Sequence, residues 1–357
     1  MKICLAIPSL GVGGMERVMS EIAINFSKRE NVELHLIMFG REREIFYSIP
    51  DNVTIHKPSF EYTPKHRTLF TLRTMLYIRK ELIRMQPDCV LSFGNYWNSL
   101  VLLSTLWTHI KVFVSDRSKP DKDMGWFQNW LRVKLYPTAT GVIAQTQKAK
   151  EVYQKMYHND NMVVIGNPIR RVAIQEDIMR EKIILSIGRL INTKHYDRLI
   201  KIFSEINAFE WKLWIVGGDA LKLHNSEKYR KLVKDLQLED RVLLAGNQKN
   251  IDSFLNKASI FVFPSSSEGF PNVIGEAMAA GLPVVSYDCV AGPSEMIEQG
   301  ENGFLVPVFD DYSMKEKIIY LIEHEDMRKK MGRYAKESIV RYGNERICDM
   351  FFDFITK

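Results

Sequence analysis

Short β-branched runs alternate with longer stretches of helical spacing along almost the whole chain, and this rhythm leaves few folds open. Residues 2–8, 32–39, 53–57, 89–93, 111–115, 141–145 and 162–165 read as strands. Most are apolar at consecutive positions, as strands covered on both faces must be. Between the first two, Met15, Val18, Met19, Ile22 and Phe26 fall on one helical face. The rhythm restarts at 182–187, 212–216, 241–245, 259–264 and 283–287. Strand–helix alternation predicts a parallel sheet flanked by helices. Two such series in 357 residues predict two doubly wound, Rossmann-like α/β domains, because one domain takes roughly 100–200 residues. The turn Gly166-Asn167-Pro168 separates the series and reads as a hinge. Ligands of such sheets sit beyond the carboxyl ends of the strands, so the expected site is a cleft between two facing sheets.

Composition narrows the class further. With 46% hydrophobic and 26% charged residues, the chain has the balance of a globular enzyme, not of a disordered, collagen-like or coiled-coil protein. Cys4, Cys89, Cys289 and Cys348 are scattered without a CxxC pair, which argues against a disulfide scaffold or zinc site and suits a reducing compartment. The apolar start is short, is broken by Pro8 and runs into Glu16 and Arg17, so it reads as a buried strand and not an export signal. The best candidate for a membrane span, residues 100–114, contains His109 and Lys111 and falls short of the roughly 20 apolar residues required. The expected location is cytoplasmic, with membrane contact peripheral. Charge is uneven: residues 1–170 hold 23 Lys and Arg against 15 Asp and Glu, and the remainder 26 against 28. A basic half suits an anionic partner such as a membrane, a phosphorylated acceptor or nucleic acid; a solvated face with surplus lysines would give the same balance.

Three places carry residues suited to chemistry. Gly11-Val12-Gly13-Gly14 joins the first strand to the first helix. Glycines there let the backbone approach a ligand, and the helix start favours anions. A ligand-free turn needs the same glycines. The pattern is not GxGxxG, and no acidic residue ends the second strand to hold a ribose, so a nicotinamide site is not expected. Arg189 and Lys194 follow the first strand of the second series; a planar fork and a point charge at one strand exit can hold a diphosphate, although a solvated pair would look alike. The third place is Glu268-Gly-Phe-Pro-Asn-Val-Ile-Gly-Glu276. A strand ends at Phe263-Pro264, Ser265 to Gly269 form a loop, and a helix is predicted from about Asn272 to Ala280. Amides near Asn272 and Val273 can bind phosphate or sugar oxygens, and two carboxylates around the helix start suit a polyol. Capping by Glu268 and a solvent-facing Glu276 is the structural alternative.

This last stretch, EGFPNVIGEAMAAGLPVV, resembles the signature of family 4 retaining glycosyltransferases of GT-B fold. GVGGMER, SIGRL with its following Lys, IGNPI and YDCVAGPSEMIEQGENGFLV agree in order. The resemblance is weak between about 40 and 135, where such enzymes read acceptors. It implies that Glu276 holds the nucleotide ribose and that Glu268 lies against the donor sugar. Arg189 and Lys194 would neutralise the diphosphate. Asn247, Gln248 and Asn250 would bracket the base, Gly269, Phe270, Asn272 and Val273 would complete the donor loop, and Gly13 and Gly14 would face the diphosphate. Many relatives carry His after the fifth strand, where this chain has Arg117, which leaves that donor-sugar contact open. The resemblance also implies an acceptor-side domain over 1–168, a donor domain over 169–335 and a C-terminal helix within 336–357 packing back on the first domain. The implied donor is a nucleotide-diphosphate sugar, UDP favoured over GDP by family frequency. The implied acceptor is a glycan or a lipid-linked glycan, and neither metal, cofactor nor nucleic acid is expected.

The remaining signals are weaker and have plainer readings. Asp121-Lys122-Asp123 spells DxD but follows Pro120 instead of a strand, and the eight histidines show no HxH or HExxH grouping. The basic run Lys65 to Arg84 and the cluster Trp126, Phe127, Trp130, Leu131, Arg132, Lys134 and Tyr136 suit an anionic bilayer surface, and core-packing helices would share the pattern. A nucleotide-sugar epimerase of the same architecture is the rival enzyme; it needs acid and base groups that the paired glutamates do not supply. A silent sugar-binding subunit is the non-enzymatic rival.

Overall fold

The computed structural model describes residues 1–11, 13–41, 44–62, 64–175, 177–220 and 223–357. Val12, inside the glycine turn, lies outside them. The chain divides into two compact units, Met1–Pro168 with Asn344–Lys357, and Ile169–Gly343.

Unit 1 is built on seven strands: β1 (Lys2–Ile7), β2 (Glu33–Met38), β3 (Thr54–His56), β4 (Cys89–Phe93), β5 (Lys111–Ser115), β6 (Gly141–Ala144) and β7 (Met162–Val164). They form one parallel sheet in the order β3-β2-β1-β4-β5-β6-β7. The helices α1 (Gly14–Phe26), α2 (Arg67–Met85), α3 (Asn95–Ser104), α4 (Trp126–Leu135) and α5 (Gln147–Met156) lie between strands in the chain. The apolar stripe read in the sequence is the buried face of α1, through Val18, Met19, Ile22 and Phe26. Local chemistry sets the helix starts, as where the Thr146 hydroxyl accepts the Ala149 N–H at 3.0 Å and caps α5.

Unit 2 holds β8 (Ile183–Ile187), β9 (Lys212–Val216), β10 (Val242–Gly246), β11 (Ile260–Phe263), β12 (Val284–Tyr287) and β13 (Gly303–Val306), parallel in the order β10-β9-β8-β11-β12-β13. Its helices are α6 (Tyr196–Ser204), α7 (Asn225–Asp235), α8 (Ile251–Lys257), α9 (Asn272–Ala279), α10 (Pro293–Met296), α11 (Asp311–Glu323) and α12 (Glu325–Ser338). Consecutive apolar residues on β8 serve two cores: Ile184 packs with Leu213 and Val262 on one face, while Ile183, Leu185 and Ile187 pack with Phe261 and Phe263 on the other. The period of two along each strand sends neighbours to opposite faces. The sequence reading lacks β13, which is four residues long and pairs with β12.

A last helix, α13 (Asn344–Thr356), returns the chain to unit 1. Phe354 meets Phe113 edge-on at 5.4 Å, and Phe352 meets Phe26 at 5.2 Å. A Cβ at Gly141 would stand 2.7 Å from Phe354, so glycine is what lets this helix approach the sheet. Residues 336–343 stay with unit 2.

One sequence reading changes here. Arg132 and Tyr136 do not belong to a basic surface: both are fully buried. Arg132 Nη2 donates to Asp116 Oδ2 at 2.5 Å, and Asn98 and the Tyr136 hydroxyl bond the other oxygen of Asp116. Residues 100–114 are split among the end of α3, a turn and β5. Among the described residues, no helix is long and apolar enough to cross a membrane. Asp121 pairs with Lys119 at 3.1 Å, and Asp123 accepts from Gly125 N and Asn129 Nδ2, both at 2.8 Å.

Candidate active site

In unit 2 the strand order reverses between β8 and β11, the position where doubly wound sheets take ligands. Most of the residues singled out in the second half of the sequence leave the sheet at or near this reversal. The exits of β8 and β9 touch. Gly217 has φ +147°, and a Cβ there would sit 2.0 Å from the Gly188 carbonyl oxygen; no other residue fits without moving the turn. Leu190 N donates to Gly218 O at 2.9 Å and fixes the path of the next residues.

Lys194 ends a short 3-10 turn, Asn192–Lys194. Its Nζ donates to Glu268 Oε1 at 2.7 Å and stands 4.3 Å from the centre of the Phe263 ring. Ser265 Oγ donates to the same carboxylate oxygen at 2.5 Å. The loop after β11 is laced to the 3-10 turn, with Ser266 N donating to Thr193 O at 2.9 Å and His195 Nε2 lying 2.7 Å from Ser266 Oγ. Two groups read separately in the sequence, a diphosphate cation and a sugar carboxylate, thus form one ion pair with side chains only 13% and 15% exposed. Arg189, at the same strand exit, is exposed.

Glu276 lies one turn into α9 and is 5% exposed. Its Oε2 is 3.4 Å from Arg170 Nε, and Arg170 Nη1 reaches Asp252 Oδ1 at 2.6 Å. Burial opposes the Arg170 charge, but Glu276 and Asp252 outweigh it and hold its pKa above the usual arginine value. Sequence reading missed Arg170. It stands two residues beyond the hinge turn, far in sequence from either carboxylate, and periodicity carries no signal of that pairing.

The rest of the expected donor set is more mixed. The Asn272 N–H is taken by Phe270 O at 3.0 Å, which corrects the expectation that it is free for a ligand. At the start of α9 the Val273 N–H has no partner among the described residues. Phe270 also needs correction as a side-chain contact. It is 6% exposed and packs edge-on against Tyr342 at 5.5 Å, so its ring serves the core. Gly269 sits in the loop between Glu268 and that ring. Asn247, Gln248 and Asn250 are exposed after β10. Gln248 Nε2 donates to Ala245 O at 2.7 Å, and Asn250 Oδ1 caps α8 by accepting from Ser253 N at 3.2 Å. A cavity of about 140 Å³ spans the ends of β8, β9 and β10, lined by Gly217, Gly218, Asp219, Arg230 and Gly246 among others. Asp219 and Arg230 were not singled out in the sequence. The Ser226 hydroxyl and amide hold the Asp219 carboxyl below its usual pKa.

The remaining expected residues belong to unit 1. Gly13 precedes α1, and its carbonyl accepts from Arg17 N and the Tyr47 hydroxyl, both at 3.0 Å; Gly14 opens the helix. The Arg117 guanidinium lies 3.6 Å above the centre of Phe93, and Nη1 donates to Asn167 Oδ1 at 2.6 Å. Its Nε and Nη2 are buried without a hydrogen-bond partner among the described residues. Burial pulls its pKa down to about 9.

Comparison with known proteins identifies the family and the fold. A family described as Glycosyl transferases group 1 matches residues 170–338, and one described as Glycosyltransferase Family 4 matches residues 12–171. N-acetyl-alpha-D-glucosaminyl L-malate synthase of Bacillus anthracis is 31% identical over 98% of this chain and 96% of its own. A Campylobacter jejuni relative is 28% identical over 97% of each chain; it is the N-acetylgalactosamine-N,N'-diacetylbacillosaminyl-diphospho-undecaprenol 4-alpha-N-acetylgalactosaminyltransferase. Among solved structures, Anabaena HepE in complex with UDP is 17% identical, with a TM-score of 0.82 and all of both chains covered. The fold is shared.

Proposed function

The chain belongs to the group 1 glycosyl transferases of family 4, with the GT-B fold, and from that membership we propose a retaining hexosyl- or N-acetylhexosaminyltransferase that uses a UDP-sugar. The acceptor is a hydroxyl of a glycan or lipid-linked glycan; the Campylobacter relative, named for a diphospho-undecaprenol substrate, supports the lipid-linked case. Unit 2 takes the donor and unit 1 the acceptor.

The observation that carries this reading is the pair of braced carboxylates on either side of the start of α9, Glu268 on Lys194 and Glu276 on Arg170. Glu276, fixed inside the helix, accepts the ribose hydroxyls. Glu268 accepts from the donor sugar. When the bond from the anomeric carbon to the diphosphate breaks, negative charge grows on the leaving oxygens. Lys194, Arg189 and the Val273 N–H are the donors that stabilise it. The leaving phosphate takes the acceptor's proton on the face it vacates, so the new bond keeps the anomeric configuration. The exposed aromatic side of α4 and the basic balance of unit 1 favour peripheral contact with an anionic bilayer on the cytoplasmic side.

A panel of UDP- and GDP-sugars in a thermal-shift assay tests the donor, because a ligand bound only by the folded state raises the melting temperature. UDP-sugars should stabilise and GDP-sugars should not. Transfer to an acceptor with retained anomeric configuration is the expected product. Release of an epimerised sugar nucleotide alone would replace this reading with the isomerase.

A further inference from the structure

Unit 1 contains a cavity that the donor chemistry leaves unused. It lies at the carboxyl ends of β1, β2 and β4. There the strand order reverses, because the chain leaves β1 toward β2 and β3 and returns on the other side of β1 as β4. Doubly wound sheets collect ligands at such reversals. The volume is about 460 Å³, within the roughly 300–1,000 Å³ of small-molecule sites.

Its lining combines two chemistries. Tyr62, Phe70 and Trp97 supply ring surface, with Tyr62 and Phe70 edge-to-face at 5.1 Å. Arg41 and Arg67 supply charge, and Glu16 supplies a carboxylate. The Arg41 guanidinium lies 3.6 Å from the centre of the Tyr62 ring. A stacked guanidinium engages its face and keeps its N–H edge for an anion, the forked geometry that suits phosphate. Ring surface suits the apolar C–H face of a pyranose, and a carboxylate accepts from sugar hydroxyls. A bare anion would leave the rings unused, and a neutral sugar would leave the arginines unused.

We propose that this cavity binds a phosphorylated sugar, its pyranose against the rings, its phosphate on Arg41 and Arg67, and a hydroxyl at Glu16. The inference rests on the transferase reading and sharpens it: the acceptor bears a phosphate or diphosphate beside the sugar that is extended.

The test is calorimetric titration of the full chain with UDP saturating, so that unit 2 does not compete for phosphate. The probes are N-acetylglucosamine 1-phosphate, free N-acetylglucosamine, inorganic phosphate, and N-acetylglucosamine diphosphate carrying a short polyprenyl chain. The phosphorylated sugars should bind at least tenfold more tightly than the free sugar or inorganic phosphate. R41A and R67A should each lose tenfold or more, and UDP titration of both variants reports that unit 2 remains folded. Tighter binding of the polyprenyl diphosphate than of the monophosphate assigns the phosphate to a lipid carrier; equal binding assigns it to a soluble or polymeric sugar phosphate. Equal affinity for free and phosphorylated sugar, or wild-type affinity in both arginine variants, overturns the proposal. Transfer from a UDP-sugar is scored separately, so binding here without transfer would sink the transferase reading and not the cavity.

Discussion

Lys194 and Glu268 neutralise each other across 2.7 Å, so neither acts as a lone charge at the strand exit. Substituting one changes what the other can do. Lys194→Ala removes a charge-assisted bond to the diphosphate and should weaken UDP by about 1.5–3 kcal/mol. Glu268→Gln releases Lys194 toward the diphosphate, so UDP affinity should hold or rise while turnover falls, because the sugar contact strengthens only toward the transition state. Calorimetry on both variants decides; loss of UDP affinity in Glu268→Gln with none in Glu276→Gln would invert the two roles. Arg170 belongs to the same scale. If it positions Glu276, Arg170→Ala and Glu276→Gln should each weaken UDP, and the double variant should be little worse than either single one. Additive losses would make Arg170 a structural residue only. The sequence exposed Glu268 and Glu276 because nine consecutive residues hold both. It hid Arg170 because the fold, and no local spacing, brings that side chain to α9.

At the scale of the element, α4 shows what periodicity can and cannot separate. Its spacing mixes basic and aromatic residues, and either face could turn inward. Asp116 decides the matter by taking Arg132 into the core, since a buried guanidinium needs a charged partner. Trp126, Phe127 and Trp130 remain outside, 81%, 50% and 52% exposed. The W126S/W130S double variant should therefore lose binding to anionic vesicles without a lower melting temperature. Equal recovery of the wild type on neutral and anionic vesicles at low salt would remove the bilayer from the account. Strand β13 illustrates the opposite limit. Gly303-Phe304-Leu305-Val306 is too short to show a period, and it becomes a strand through its pairing with β12, Leu305 opposite Ser286.

For the molecule as a whole, the parallel sheets were legible because strands covered on both faces are apolar at consecutive positions, as in β11. The charge division sharpens once the units are defined. Unit 1 carries 24 Lys and Arg against 18 Asp and Glu, and unit 2 carries 25 against 25. The surplus sits with the unit assigned the anionic acceptor. The chain crosses between units twice, after Pro168 and after Gly343, and the second crossing makes unit 1 depend on residues beyond unit 2. A chain ending at Gly343 would lose the buried side chains Ile347, Cys348, Phe351 and Ile355, each large apolar one worth about 1.5–3 kcal/mol. Scanning calorimetry should show unit 1 losing its cooperative transition, while UDP still raises the melting temperature of unit 2. Survival of both transitions would show that α13 is dispensable.

The position of α13 also sets a timetable. Residues 344–357 emerge from the ribosome only after all of unit 2. At roughly 5–20 residues per second, the first-made sheet waits about 9–35 s for the helix that covers Phe93 and Phe113. Unit 2, begun later, is complete first. During that interval the nascent chain carries an open apolar face, a target for a chaperone or for self-association, so the order of manufacture and the order of completion run in opposite directions.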